Sequence, residues 1–316
     1  MRHSLCLARE MPAGDALRLI CSQQLDAIVQ HLPGARQGRD PEALHDLRVA
    51  VRRTRSALSE FRRLFPADRL AHFRGELRRF GEITGPVRDL DVYLEHLPAY
   101  RALLPADAAQ ALAPFRTFLL RHRRVERRRL VRRLASVRLQ RLLADWQRFL
   151  EVADGSVWPA RAAQPANLTA RRHIWKLYRR FLRQGAAISA ASPDRDLHLL
   201  RITGKKLRYL VEFFRPLHPP AEIALLVKAM KGIQDFLGNY QDLTVQQVHL
   251  GELTRQMQAE GDVPPETLAA LSLLVVNLRD RQHRARREFP ECFRVFSHGR
   301  GRRGFVRLFG PPERHA

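Results

Sequence analysis

Two stretches of the chain carry cations at spacings of three and four: His45, Arg48, Arg52 and Arg55, and again His198, Arg201, Lys205 and Arg208. On a helix each residue advances roughly 100°, so each set fills an arc of roughly 80°. Guanidinium forks present paired N–H groups that match two oxygens of a phosphate, as an ammonium point charge does not. Side chains at these spacings are neighbours on a helix, where opposite charges stabilise it by roughly 0.2–0.5 kcal/mol per pair and like charges destabilise it. Neither stripe contains an acid. Its charges repel unless an anion neutralises them, or unless neighbouring helices supply Asp or Glu. Arg53 and Lys206, next to the stripes in sequence, point away from them on the same wheel.

The elements that carry the stripes repeat. LHDLRVAVRRTRSALSEFRRLFP (44–66) lies over LHLLRITGKKLRYLVEFFRPLHP (197–219), and LRRFGEITGPVRDLDV (77–92) over MKGIQDFLGNYQDLTV (230–245), both at an offset of 153 residues. Beside the stripes, Leu44, Leu47, Val51, Leu58 and Phe61 form an apolar arc, and Leu197, Leu200, Leu207, Val211 and Phe214 form its counterpart. These are the faces expected to pack inward. At the same offset Arg18 meets Arg171, and Arg74 and Arg78 correspond loosely to Lys228 and Lys231. The dense run RHRRVERRRLVRR (121–133) aligns only after a five-residue slip, which pairs Arg128 with Arg286. Such a run is more often a solvated face than a site, so it ranks below the stripes.

No stretch shows the sustained period-two alternation of a strand, so the fold class is all-α, with two pseudo-symmetric helical bundles. Helices are expected at 14–31, 42–64, 67–82, 87–104, 107–134 and 138–152, then at 169–190, 195–215, 220–236, 240–260, 264–288 and 290–298. The first repeat then occupies 1–152, a linker rich in Ala, Pro and Gly 153–168, the second repeat 169–298, and a loosely held basic tail 299–316.

Composition agrees with an anionic partner. Of 316 residues, 56 are Lys or Arg and 32 are Asp or Glu, a formal charge of +24, and only five of the cations are lysines. The three cysteines, Cys6, Cys21 and Cys292, are far apart and form no metal or disulfide pattern. The opening residues lack an uninterrupted apolar run, and no long apolar span follows, so a soluble cytoplasmic protein is expected.

Catalysis finds little support. His45-Asp46 resembles a metal-binding dyad, but its counterpart is His198-Leu199. Asp89 and Asp91 form an acidic pair at a helix start, whereas the second copy has Asp242 and Thr244. No Walker-type glycine loop is present. No enzyme activity, cofactor or metal is therefore expected. Nucleic acid is the competing partner, because counterion release favours any phosphate backbone. The aromatic residues, however, are not interleaved with the arginines as a base-stacking surface requires.

HDLRVAVRRTR and HLLRITGKKLRYLVEFF, together with GPVRDLDV and GNYQDLTV, resemble the two signatures of the CHAD family, helical domains named for a characteristic histidine. The resemblance runs from about residue 10 to about residue 298 and occurs in both halves. It implies two helical bundles about a pseudo-twofold axis, with basic residues facing a shared groove. It also implies binding of inorganic polyphosphate without catalysis, and association with polyphosphate granules. The basic positions carry over most directly onto the two stripes, and less directly onto Arg18, Arg78, Arg171 and Lys231. Gly204, where the first copy has Val51, departs from the repeat; tight helix packing or close ligand approach would each explain it.

Overall fold

The computed structural model describes residues 6–38, 40–151 and 158–311. The described residues are helical with short connections and contain no strand. Expected linker residues 153–157 and tail residues 312–316 lie outside them.

Helix α1 (Ala13–Gln37) ends at Gly38, whose φ of 68° suits glycine, and the Gly38 N–H closes on the Gly34 carbonyl. Helix α2 (Pro41–Glu60) starts with Asp40 accepting from the Glu42 amide at 2.8 Å and with Pro41 in its first turn. Helix α9 (Asp194–Phe213) has the same length of 20 residues, and each of the two is followed by a 3₁₀ turn. The apolar arcs read from sequence are buried in both helices, from Leu44 to Phe61 and from Leu197 to Phe214. Gly204 is explained by packing: a Cβ there would stand 2.9 Å from the Phe181 ring.

Helices α3 (Ala67–Ile83) and α4 (Gly85–Arg101) are separated at Thr84. Pro86 causes the break, since it lacks an N–H and its ring clashes with the carbonyl four residues earlier. The second half differs. Helix α10 runs unbroken from Pro220 to Glu260, 41 residues or about 60 Å, where two helices were expected. Gly238 alone does not end a helix, and Asn239 stands in the register of Pro86, so the hydrogen-bond ladder continues. Helix α11 (Pro265–His298) likewise continues through Pro290, because Phe289, Phe293 and Phe296 are all buried and hold one register across it.

The expected helix over 107–134 is divided at Ala111–Leu112 into α5 (Ala106–Gln110) and α6 (Ala113–Leu134), with Pro114 in the first turn of the latter. Helix α7 (Val137–Leu150) precedes the linker, whose described part forms a 3₁₀ turn at Ala160–Ala163 before α8 (Ala166–Ala186). The linker is tied to the start of α1: the Ala13 amide donates to the Gln164 carbonyl and the Ala166 amide to that of Met11, both at 2.8 Å.

The described part of the basic tail is docked, not loosely held. Residues Arg300–Phe309 form helix α12, and Phe305 and Phe309 are buried at 0% and 1% exposure. Arg302, Arg303 and Arg307 are on its outer side and Gly301 and Gly304 are close-packed, as in an amphipathic helix, so composition alone misreads it.

Two apolar clusters fill the molecule. The larger draws on α1, α2, α3, α7, α8, α9, α12 and parts of α6, α10 and α11. The smaller gathers α4 and the first part of α6 against the second part of α10 and the first part of α11. Both clusters contain residues from either side of the linker. Among the described residues no helix is long and apolar enough to cross a membrane.

A candidate anion-binding groove

Helices α2 and α9 meet through reciprocal ion pairs: Arg53 with Glu212, and Lys206 with Glu60 at 2.7 Å. Beside this contact Arg52 Nε donates to the Tyr209 hydroxyl at 2.8 Å. A groove of about 730 Å³ opens there, walled by α2, α3 and α9. Its lining holds Arg52, Arg55, Arg74, Arg78, Arg201, Lys205 and Lys206, with Ser56, Ser59 and Tyr209, and no carboxylate. The nearest acids lie outside. Glu82 pairs with Arg78 at 2.9 Å, but both are exposed, so the pair contributes little. Asp242 stays 3.9 Å from Arg201, and Arg201 Nε is buried with no hydrogen-bond partner among the described residues.

The remaining stripe residues have other tasks. Arg48 donates to the Gly81 carbonyl at 3.0 Å and to the Thr84 hydroxyl at 2.9 Å, closing the end of α3. That task exists only in the first half, because α10 has no break for Arg201 to cap. Arg208 shares Glu212 with Arg53, at 3.4 Å. His198 donates through Nδ1 to Gln241 Oε1 at 2.6 Å. His45 is held below its ordinary pKa by burial and then by Arg88, so it is neutral near pH 7 and adds no cation there.

Several residues paired by the repeat lie elsewhere. Arg18 packs over the Trp158 ring at 4.4 Å and pairs with Asp15. Arg171 donates to the Gly310 carbonyl and anchors the end of α12. Arg286 donates to the carbonyls of Ser189, at 2.7 Å, and Ser192. Its counterpart is Arg127 and not Arg128: Arg127 donates to the carbonyls of Ala35 and Arg36 at 2.7 Å, closing the corresponding loop after α1, while Arg128 is exposed. Lys228 and Lys231 are exposed on α10 and outside the groove lining. Tyr209, whose hydroxyl orients Arg52, is the groove residue that charge spacing alone does not reveal; its only sequence signal is the aromatic following Arg208.

Other chemistry is poorly served. Asp91 is buried and paired with Arg123, whereas Asp89 is exposed on the side of Arg48, so the two carboxylates do not converge. Glu42, His45 and Asp46 place ligand atoms within 4.8 Å of one another, but both carboxylates are exposed and Arg88 stands against a cation there.

Lys205 gives the groove a pH dependence. Burial, followed by Arg201 and Arg52, pushes its amine down to about 7. A bound anion favours the ammonium form and raises that value, so binding takes up a proton near neutrality. Polyanion affinity should fall as pH rises from about 6 to 8, by at most about tenfold per unit for one proton. Calorimetry in buffers of different ionisation enthalpy should detect the uptake, and Lys205→Arg should remove it; no uptake by the parent sinks the prediction. Stability without ligand runs the other way. Between about 7 and the ordinary lysine range the unfolded chain binds the extra proton, so stability rises with pH there.

Fold and groove together define an all-helical domain with a concave cationic surface in which two of seven lining cations are closely ion-paired. The chain belongs to the CHAD domain family, whose sequence model matches residues 19–251. Its fold is similar to that of the CHAD domain from the plant Ricinus communis, with a TM-score of 0.77, 24% identity, and coverage of 94% of this chain and 95% of that one. PptA from Streptomyces chartreusis is also similar, with a TM-score of 0.69, 21% identity, and coverage of 90% and 99%. The uncharacterized protein Rv2226 of Mycobacterium tuberculosis is 28% identical over 252 residues, which is 76% of this chain. The matched stretch spans 45% of that relative's length.

Proposed function

We propose that this chain binds inorganic polyphosphate, without catalysis, in the groove between α2, α3 and α9. The observation that carries the reading is the groove lining: seven cations, hydroxyls, and no carboxylate. Polyphosphate is a flexible chain of charges with no bases to read, so forks in a concavity are the chemistry it requires. Arg52, Arg55, Arg201 and Lys205 bind it directly in this reading, with Arg74 and Arg78 on the far wall. Family membership supports the same ligand, and association with polyphosphate granules in the cytoplasm is part of the proposal.

The two halves act in this reading as copies of one unit about the groove. Support comes from the equal lengths of α2 and α9, the reciprocal Arg53–Glu212 and Lys206–Glu60 pairs, and the matching roles of Arg127 and Arg286.

A competition titration tests the ligand. Labelled long-chain polyphosphate is displaced by single- and double-stranded nucleic acid at several salt concentrations. Polyphosphate binding that survives physiological salt and excess nucleic acid is the expected result. Equal displacement by every polyanion, with binding lost as salt rises, would leave nonspecific nucleic-acid binding as the better account.

A further inference from the structure

Arg172, Lys176, Arg180 and Arg183 of α8 recur at spacings of four, four and three, an arc of roughly 80° on the helix. All four are exposed, and among the described residues none has a carboxylate within ion-pair reach. Lys176, Arg180 and Arg183 line a second groove of about 750 Å³ together with Arg62, Arg63 and Arg172. Glu60 is the one acid in that lining, and it is already paired with Lys206. Ser59 and Lys206 line both this groove and the central one, so the two adjoin there.

The other side of the molecule supplies the comparison. At the repeat offset, residues 172, 176, 180 and 183 correspond to Leu19, Gln23, Ala27 and Gln30 of α1. Gln23, Ala27 and Gln30 line a concavity of about 910 Å³ whose cationic lining is Arg53 and whose acids are Asp26 and Glu151. That concavity shares no lining residue with the central groove. Equivalent helices therefore present one strongly cationic hollow and one of mixed charge. A generic solvated helix face explains neither the absence of acids on α8 nor the absence of cations at the four matched positions of α1.

We infer that the α8 groove is a second polyphosphate-binding segment, so that a long chain leaves the central groove past Ser59 and Lys206 in one direction only. This rests on the proposed function and extends it to a dependence on chain length. Short chains fill the central groove; long ones gain the α8 contacts as well.

Short and long polyphosphates are titrated at fixed salt against the parent and against Arg172→Glu/Lys176→Glu/Arg180→Glu. Long-chain affinity should fall about tenfold while short-chain affinity changes by less than about twofold. The milder Arg172→Gln/Lys176→Gln/Arg180→Gln should act in the same direction. A control on α6, Arg116→Glu/Arg124→Glu/Arg132→Glu, changes net charge by the same amount and should preserve the preference for long chains. The inference is overturned if the α6 and α8 glutamate variants lose long-chain affinity alike, or if the α8 variants keep the parent's preference. A parent that binds no short chains overturns the central-groove reading, and the inference falls with it.

Discussion

Replacing Arg52 and Arg201 together by glutamate should lower polyphosphate affinity by about a hundredfold or more, with helical content unchanged. Each guanidinium lost removes a charge-assisted contact worth about 1.5–3 kcal/mol, and each carboxylate gained repels the ligand. The two residues come from opposite walls of one groove, and neither has a carboxylate partner closer than the 3.9 Å of Asp242. Arg48, although on the same stripe, is left in place because it closes α3 through Gly81 and Thr84. Titration at constant ionic strength, with circular dichroism as the folding control, checks the result. Affinity within a few-fold of the parent in a folded variant would remove the groove from the account.

The second large effect concerns stability. Phe305→Ala should destabilise the protein by about 3–5 kcal/mol, the usual cost of emptying a fully buried phenylalanine site. The ring is at 0% exposure and stacks on Tyr178, with centroids 4.2 Å apart and planes 11° apart. Arg171 holds the same helix end through the Gly310 carbonyl, so α12 is fixed by both packing and hydrogen bonding. Denaturant unfolding followed by circular dichroism reads the difference. A loss below about 1 kcal/mol would show that α12 is undocked in solution.

Both effects bear on what the sequence could reveal. The stripes and inward faces of α2 and α9 were legible because helical periodicity and the repeat state the same thing twice. The union of 220–236 with 240–260 was not, since Gly238 reads as a break; the deciding residue is Asn239, which can donate where Pro86 cannot. Matching arginines across the repeat also proved ambiguous. A carbonyl that needs a donor recurs where a helix end recurs, so Arg127 and Arg286 are explained by anchoring, whereas Arg18 and Arg171 share a repeat position and make different contacts. The α8 stripe is hidden for the opposite reason: it has no counterpart in α1, so the repeat does not mark it.

The smaller apolar cluster has a consequence for synthesis. Tyr93 of α4 donates to the Gln246 carbonyl, 153 residues further along, and Leu90 and Leu97 share a cluster with Leu250, Leu271 and Leu274. At roughly 5–20 residues per second, a ribosome leaves the part of the apolar side of α4 that α6 does not cover exposed for roughly 10–30 s before those partners emerge. α12, which contributes Phe305, comes later still. During that interval a nascent first half exposes a sticky surface that only later translation can cover.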